Sequence, residues 1–208
     1  MKSAKEYRKE ARDILGNNIF HEKWLYVLLL LLLSSAVIYA AASLTLGIVG
    51  VILAGPLGFG VVTILLRLVR RQDEKADFNH LFDGFKEKFG ETVIVSVLTY
   101  VYLFLWSLLL VIPAIVKSYS YAATMYLVKE RGLTGNDAIT ESRKIMDGNK
   151  FRLFCLDLSF IGWYILGAIC FGVGILWVDA YRGVARAAFF EELLNSNAGK
   201  VIDVKPVE

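Results

Sequence analysis

The stretch from Leu25 to Leu66 carries no charged residue, and nothing else in the chain limits the fold as strongly. A helix needs roughly 20 consecutive apolar residues to cross the hydrocarbon core of a bilayer, and this run is about twice that length. Gly47, Gly50 and the Gly55-Pro56 pair punctuate it. The pattern therefore predicts two helices, about 25–45 and about 48–66. Two more uncharged runs, Thr92 to Val116 and Leu158 to Val178, are each long enough for a crossing. With 56% hydrophobic residues among 208, the chain holds more apolar surface than a soluble domain of its length can hide. The expectation is an all-α integral membrane protein forming a single membrane domain over residues 1–208. Ala40-Ala41-Ala42 offers an Ala-x-Ala pattern, but four acids precede it and the apolar run continues past it. The first segment is therefore expected to stay as a membrane helix rather than be removed as a signal peptide.

Charge placement gives the orientation. Lys2, Lys5, Arg8, Lys9, Arg12 and Lys23 precede the first run. Arg67, Arg70, Arg71, Lys75, Lys86 and Lys88 follow the second helix. Lys129, Arg131, Arg143, Lys144, Lys150 and Arg152 form a third cluster, and Lys200 and Lys205 close the tail. The turns between them, Thr45–Gly50, Val111–Val116 and Cys170–Trp177, are uncharged. Basic residues near helix ends stay on the cytoplasmic side. Six transmembrane helices, arranged as three hairpins, put every cluster on that side and both termini in the cytoplasm. The third and fourth crossings are expected at about 93–111 and about 113–128, with Pro113 at a tip or a first helical turn. A single helix from 93 to 128 would expose the third cluster outside. The basic face then meets anionic headgroups. Nucleic acid is the poorer partner, because acids interleave the clusters and no binding motif is present.

Each hairpin follows a polar segment with helical periodicity. Ala4, Tyr7, Ala11, Ile14 and Leu15 share one face; so do Phe78, Leu81, Phe82, Phe85 and Phe89; so do Ala138, Ser142, Ile145 and Met146, with Ile139 beside them. Ser3 with Glu6, and Thr134 with Asp137, have capping-box spacing. Glycine follows each face, in ILGN (14–17), LFDG (81–84) and IMDG (145–148). These are the marks of amphipathic helices lying in the headgroup plane or packing as a cytoplasmic cap. Three pseudo-repeats, 1–71, 72–131 and 132–197, describe the pattern, although any three such units look alike at this level. Without gaps, GPLGFGVVTILL, KSYSYAATMYLV and DAYRGVARAAFF align, and Gly55, Lys117 and Asp179 then share a position.

The charges inside apolar segments are the candidate site. Asp179, Arg182 and Arg186 share one helix face. Folding the last hairpin about Phe171–Gly172 brings Asp157 level with Arg186, and Lys117 is placed to meet Asp179. An unpaired charge at mid-bilayer costs roughly 2.5–3.5 kcal/mol on insertion scales, so pairing at matched depth is expected. Lys117, Asp157, Asp179, Arg182 and Arg186 thus form a candidate intramembrane polar cluster, which Tyr119, Tyr121 and Tyr181 could line. The alternative is that Arg186 snorkels to the headgroups and the acids sit near the interfaces. Cys155 and Cys170 fall on one predicted helix, roughly 22 Å apart, too far for a disulfide. No nucleophile–base pair, phosphate loop or metal motif is present, no cofactor or metal is implied, and His21 and His80 both lie in polar segments.

The segment KIMDGNKFRLFCLDLSFIGWYILGAICFGVGILWVDAYRGVARAAFFEEL (144–193) resembles the uncharacterised bacterial membrane proteins grouped as domain of unknown function family 975. The matching features are GNKFRLF, LSFIGW, GVGILW and the Tyr181…Ala185…AAFF ending. Ala180 departs from the family pattern, which has proline before the tyrosine. The family also looks distantly like the membrane domain fused to some glycerophosphodiester phosphodiesterases. The resemblance implies a bacterial cell-membrane protein and brings no established activity or functional residue. The leading expectation is a non-enzymatic scaffold, accessory or envelope-homeostasis component, with membrane lipids, a protein partner or a second copy as its contacts. The alternatives are a small transporter or channel-like protein that uses the inner charges, or a membrane enzyme or peptide-resistance factor. A transporter predicts a water-accessible cavity reaching Asp157 or Asp179, whereas a scaffold predicts a bundle packed shut.

Overall fold

Four helices among the described residues are long and apolar enough to cross a membrane: Glu22–Ser43, Val49–Val69, Phe89–Ser107 and Lys150–Ile169. The structure is a computed structural model and describes residues 2–16, 22–44, 48–70, 78–86, 88–109, 111–169 and 172–198. These are mostly helical, with no strand among them. In order they are α1 (Ala4–Leu15), α2 (Glu22–Leu44), α3 (Ile48–Val69), a 3-10 turn (Phe78–Phe82), α4 (Asp83–Lys86), α5 (Phe89–Leu109), α6 (Val111–Tyr121), α7 (Thr124–Arg131), α8 (Gly135–Ile145), α9 (Lys150–Leu158), α10 (Ile161–Ile169) and α11 (Val173–Ala198). The fourth apolar stretch is α9 and α10 together.

The apolar side chains fall into two populations. One is a buried cluster joining α1, α3, α7, α9 and α11, in which Tyr7, Leu15, Phe160, Phe189 and Phe190 are shut away completely. The Tyr7 and Phe189 rings meet edge to face at 5.4 Å. The other population faces outward on α2, α5 and α10: Tyr39 is 79% exposed, Phe104 64% and Ile169 72%. Exposed apolar surface on this scale suits contact with lipid rather than water. Lipid supplies little hydrophobic drive between helices, so close packing needs small residues. Gly167 and Gly174 provide it between α10 and α11: a Cβ at Gly174 would stand 2.7 Å from the Gly167 Cα.

The polar segments fold in three different ways. In α1 the Ser3–Glu6 capping box is complete, with the Ser3 amide donating to the Glu6 carboxylate at 2.6 Å and the Glu6 amide donating to Ser3 Oγ at 3.4 Å. Gly16 ends the helix at φ 94°, and the Trp24 indole donates to its carbonyl at 2.9 Å. The apolar face of α1 packs on α11 and α9, where Tyr7, Ala11, Ile14 and Leu15 are buried. The middle segment departs from the expected amphipathic helix. It is a 3-10 turn plus the short α4, Leu81 is buried while Phe82 is 47% exposed, and Phe89 belongs to α5. Gly84 does not end a helix: it lies inside α4, where a Cβ would run into the Pro56 backbone, so glycine lets this turn seat on α3.

In the third segment Ala138, Ile139, Ser142 and Ile145 are buried as the periodicity predicts, and Ser142 Oγ donates to the Ser120 carbonyl at 2.8 Å. The Thr134–Asp137 box does not form. Thr134 makes no side-chain cap bond; the Asp137 amide donates to the Thr134 backbone carbonyl instead, beside Gly135 at φ 52°. Residues 113–128 are not one helix either. α6 starts at Val111, and the chain turns at Ala122–Ala123 before α7.

Candidate functional site

The charges on α11 open onto a cavity of about 930 Å³. Its apolar wall comes from α2, α3 and α6, through residues such as Leu31, Ile38, Val62, Leu65 and Ile115. Its polar wall is Asp157 of α9 with Asp179, Arg182 and Arg186 of α11, and Tyr119 of α6. Spacings of three and four residues along α11 keep its charges on one face.

Two acid–arginine pairs stand along that wall. Arg186 Nε lies 3.7 Å from Asp157 Oδ1, and Arg182 Nη2 lies 3.5 Å from Asp179 Oδ1. Tyrosines hold the carboxylates: Tyr119 donates to Asp157 Oδ2 at 3.1 Å, and Tyr164 of α10 donates to Asp179 Oδ1. The Tyr164 ring also stacks under the Arg182 guanidinium at 5.5 Å. Asp157 Oδ1 is shielded from solvent and receives no hydrogen bond. Neither guanidinium makes a hydrogen bond to a described residue; each has only its acid at ion-pair distance. A guanidinium offers five N–H donors, so the wall keeps unused donors beside an unused acceptor.

Lys117 stands apart from this group. Its ammonium sits 4.5 Å over the Trp106 ring and borders a hollow lined by Arg143, Lys144 and Lys150. The expectation that Lys117 meets Asp179 comes from their matching depth and leaves out α8, which packs against α6 and brings its own cations there. Of the three tyrosines considered from sequence, Tyr119 lines the cavity. Tyr181 is buried and donates to the Arg8 carbonyl at 2.6 Å, and the Tyr121 ring lies tilted against Tyr102 at 6.2 Å. Tyr164 escaped sequence reasoning, although residues 164 and 179 are symmetric about the same 171–172 turn as 157 and 186. Phe171, half of that turn, lies outside the described residues, as do His21 and Cys170; Cys155 is a free, half-buried thiol.

Other polar groups tie elements together. Arg70 donates to Glu191 at 2.9 Å and to Glu130 at 2.7 Å, joining the end of α3 to α11 and α7. Those bonds, to Glu191 first and then Glu130, raise the pKa of its guanidinium above the ordinary value. His80 Nδ1 pairs with Asp83 at 2.8 Å and its Nε2 with Arg67 at 2.8 Å. Arginine can only donate, so Nε2 accepts and Nδ1 donates, and neither ring nitrogen is left for proton transfer.

No curated protein and no solved structure matches the chain, and the distant likeness to the phosphodiesterase membrane domain gains no support from them. A family model does match, over residues 1–122 and 108–197. The chain therefore belongs to the family described as protein of unknown function (DUF975).

Proposed function

We propose that this is a multi-pass protein of the bacterial cell membrane that holds a small ligand in the charged cavity, as a binding protein or small transporter rather than an enzyme. One observation carries the reading: both Asp157 and Asp179, with their arginines, line a cavity of about 930 Å³. That is near the upper end of the roughly 300–1,000 Å³ typical of small-molecule sites, whereas a scaffold working through helix contacts alone calls for a closed bundle. Intramembrane ionisable groups that face a cavity mark ligand or ion sites more often than they serve packing. The scaffold reading keeps one point in its favour, the outward apolar faces of α5 and α10, which suit lipid or another helix.

In this reading the chain crosses six times, through α2, α3, α5, α6–α7, α9–α10 and α11, as three hairpins. Hydropathy alone misses α6–α7 and α11 because they carry Lys117, Lys129, Asp179, Arg182 and Arg186. The basic clusters support both termini in the cytoplasm, since basic residues near helix ends favour that side. Thiol accessibility tests the cavity. Ser34 lines it at 7% exposure, while Thr63 is 1% exposed and is not among the residues that line it. A cysteine at Ser34 should react with a small water-soluble methanethiosulfonate at least 10-fold faster than one at Thr63. Equal, slow reaction at both would mean a bundle packed shut.

A further inference from the structure

We propose that the cavity takes a zwitterionic amphiphile from the surrounding bilayer, with its headgroup between the Asp157–Arg186 and Asp179–Arg182 pairs and its hydrocarbon in the cleft between α2 and α6. The inference rests on the ligand-binding reading above and adds where the ligand comes from and what charge it bears.

The route comes from packing. α2 packs on α3 and α11, and α6 packs on α5, α8 and α9, but there is no extended packing between α2 and α6, although both line the cavity. Leu32 of α2 and Ile115 of α6 line the cavity, are 37% and 49% exposed, and flank the gap between the two helices. They are the lips of a lateral opening. The lips are apolar and the surface around them is apolar too, with Leu29, Leu33 and Val116 exposed. A soluble polar ligand gains nothing from such an entrance; a hydrocarbon chain does.

The charge comes from the polar wall. Two carboxylates face two guanidiniums, so the wall is neutral by count. A net anion would leave one uncompensated negative charge in a site of low dielectric, and a net cation the reverse, each at a desolvation penalty. A zwitterion keeps the balance. Its anionic group meets the unused donors of Arg182 and Arg186, one helical turn apart, and its ammonium group meets the carboxylate of Asp179, whose side chain is 39% exposed and lines the cavity. Hydroxyls of Ser34 and Ser118 stand nearby; each donates to its own helix, to Leu31 and Ile115, and keeps lone pairs for a ligand donor.

The test uses the full chain in a nonionic maltoside with cysteine at Ser34. Three probes are compared: lysophosphatidylethanolamine, lysophosphatidylglycerol of the same chain, and soluble glycerophosphoethanolamine. The zwitterionic amphiphile should slow thiol modification at least 10-fold at a concentration where the anionic one slows it less than 3-fold and the soluble headgroup has no effect. Native mass spectrometry of Leu32→Trp/Ile115→Trp, which fills the mouth from exposed positions, should show the zwitterion adduct reduced at least 5-fold. Equal or better protection by the anionic amphiphile overturns the charge argument. Equal protection by glycerophosphoethanolamine, or an adduct unaffected by the two tryptophans, overturns entry from the bilayer. A thiol that reacts freely while no amphiphile protects it sinks this inference and leaves the cavity reading standing; a thiol that never reacts removes both.

Discussion

Removing the carboxylate of Asp157 tests the polar wall without disturbing its shape. In Asp157→Asn the amide oxygen can still accept from Tyr119, so the change isolates the charge facing Arg186. Opposite charges 3.7 Å apart attract by about 4.5 kcal/mol at an effective dielectric constant of about 20. Desolvation offsets much of that, and the stranded Arg186 side chain, 30% exposed on an open cavity, can rehydrate. The expected loss is about 2 kcal/mol, below the roughly 3–5 kcal/mol for breaking a fully buried pair. At roughly 2–4 °C per kcal/mol for a chain of this size, Tm falls by about 4–8 °C. Arg186→Gln should cost about the same, because it leaves Asp157, with 16% side-chain exposure, unpaired. The double variant should recover about half the summed loss, a coupling of about 2 kcal/mol. The assay is thermal unfolding of wild type, both singles and the double in one nonionic detergent. Losses that simply add would show that the charges do not interact, and that Arg186 reaches the headgroups instead.

Three further outcomes follow from the geometry. Gly167→Leu should drive α10 from α11 and destabilise by about 1–3 kcal/mol, because a Cβ there would stand 2.8 Å from the Gly174 carbonyl carbon; a Tm unchanged within 1 °C, on a scale of roughly 2–4 °C per kcal/mol, would mean these helices do not meet. The amide of Ser3, hydrogen-bonded to Glu6, lowers that carboxyl's pKa, so its contribution to α1 is full above the unfolded value of about 4.3 and is lost as pH falls through the lower folded value. Fluorescence of Trp24, whose indole binds the end of α1, should report an acid transition that Glu6→Gln reduces; identical acid profiles in both proteins would count against the cap. In sealed cells, cysteines at Ser43 and Ala114 should label from outside and those at Lys9 and Asp137 should not, and strong outside labelling at Asp137 would end the six-crossing reading.

Local pattern reached some of this structure and stopped where distant segments meet. The uncharged runs mark α2, α3, α5 and α10, because a long apolar helix announces itself residue by residue, whereas α9 carries Lys150, Arg152 and Asp157 and does not. Ser3 with Glu6, and Gly148 at φ 74°, are legible because helix ends are satisfied by residues three or four positions away. Equal counting from Gly172 reaches the Asp157–Arg186 distance, since antiparallel neighbours keep level. The same spacing at Thr134 and Asp137 failed, because Gly135 takes a positive φ that no spacing rule reveals. The position of Lys117 depends on where α8 packs, and that in turn depends on Ser142 reaching the Ser120 carbonyl. The cavity itself was not legible: it exists because α2 and α6 do not close on each other, a property of the assembled helices rather than of any one segment.

The most direct test of the charged cavity is an experimental structure of the full chain in a lipid nanodisc prepared without added ligand. The account predicts α2 and α6 parted at Leu32 and Ile115, with elongated non-protein density running from that opening to Arg182 and Arg186. Helices closed over Leu32 and Ile115, with Asp157 and Asp179 packed in protein and no space beside them, would contradict it.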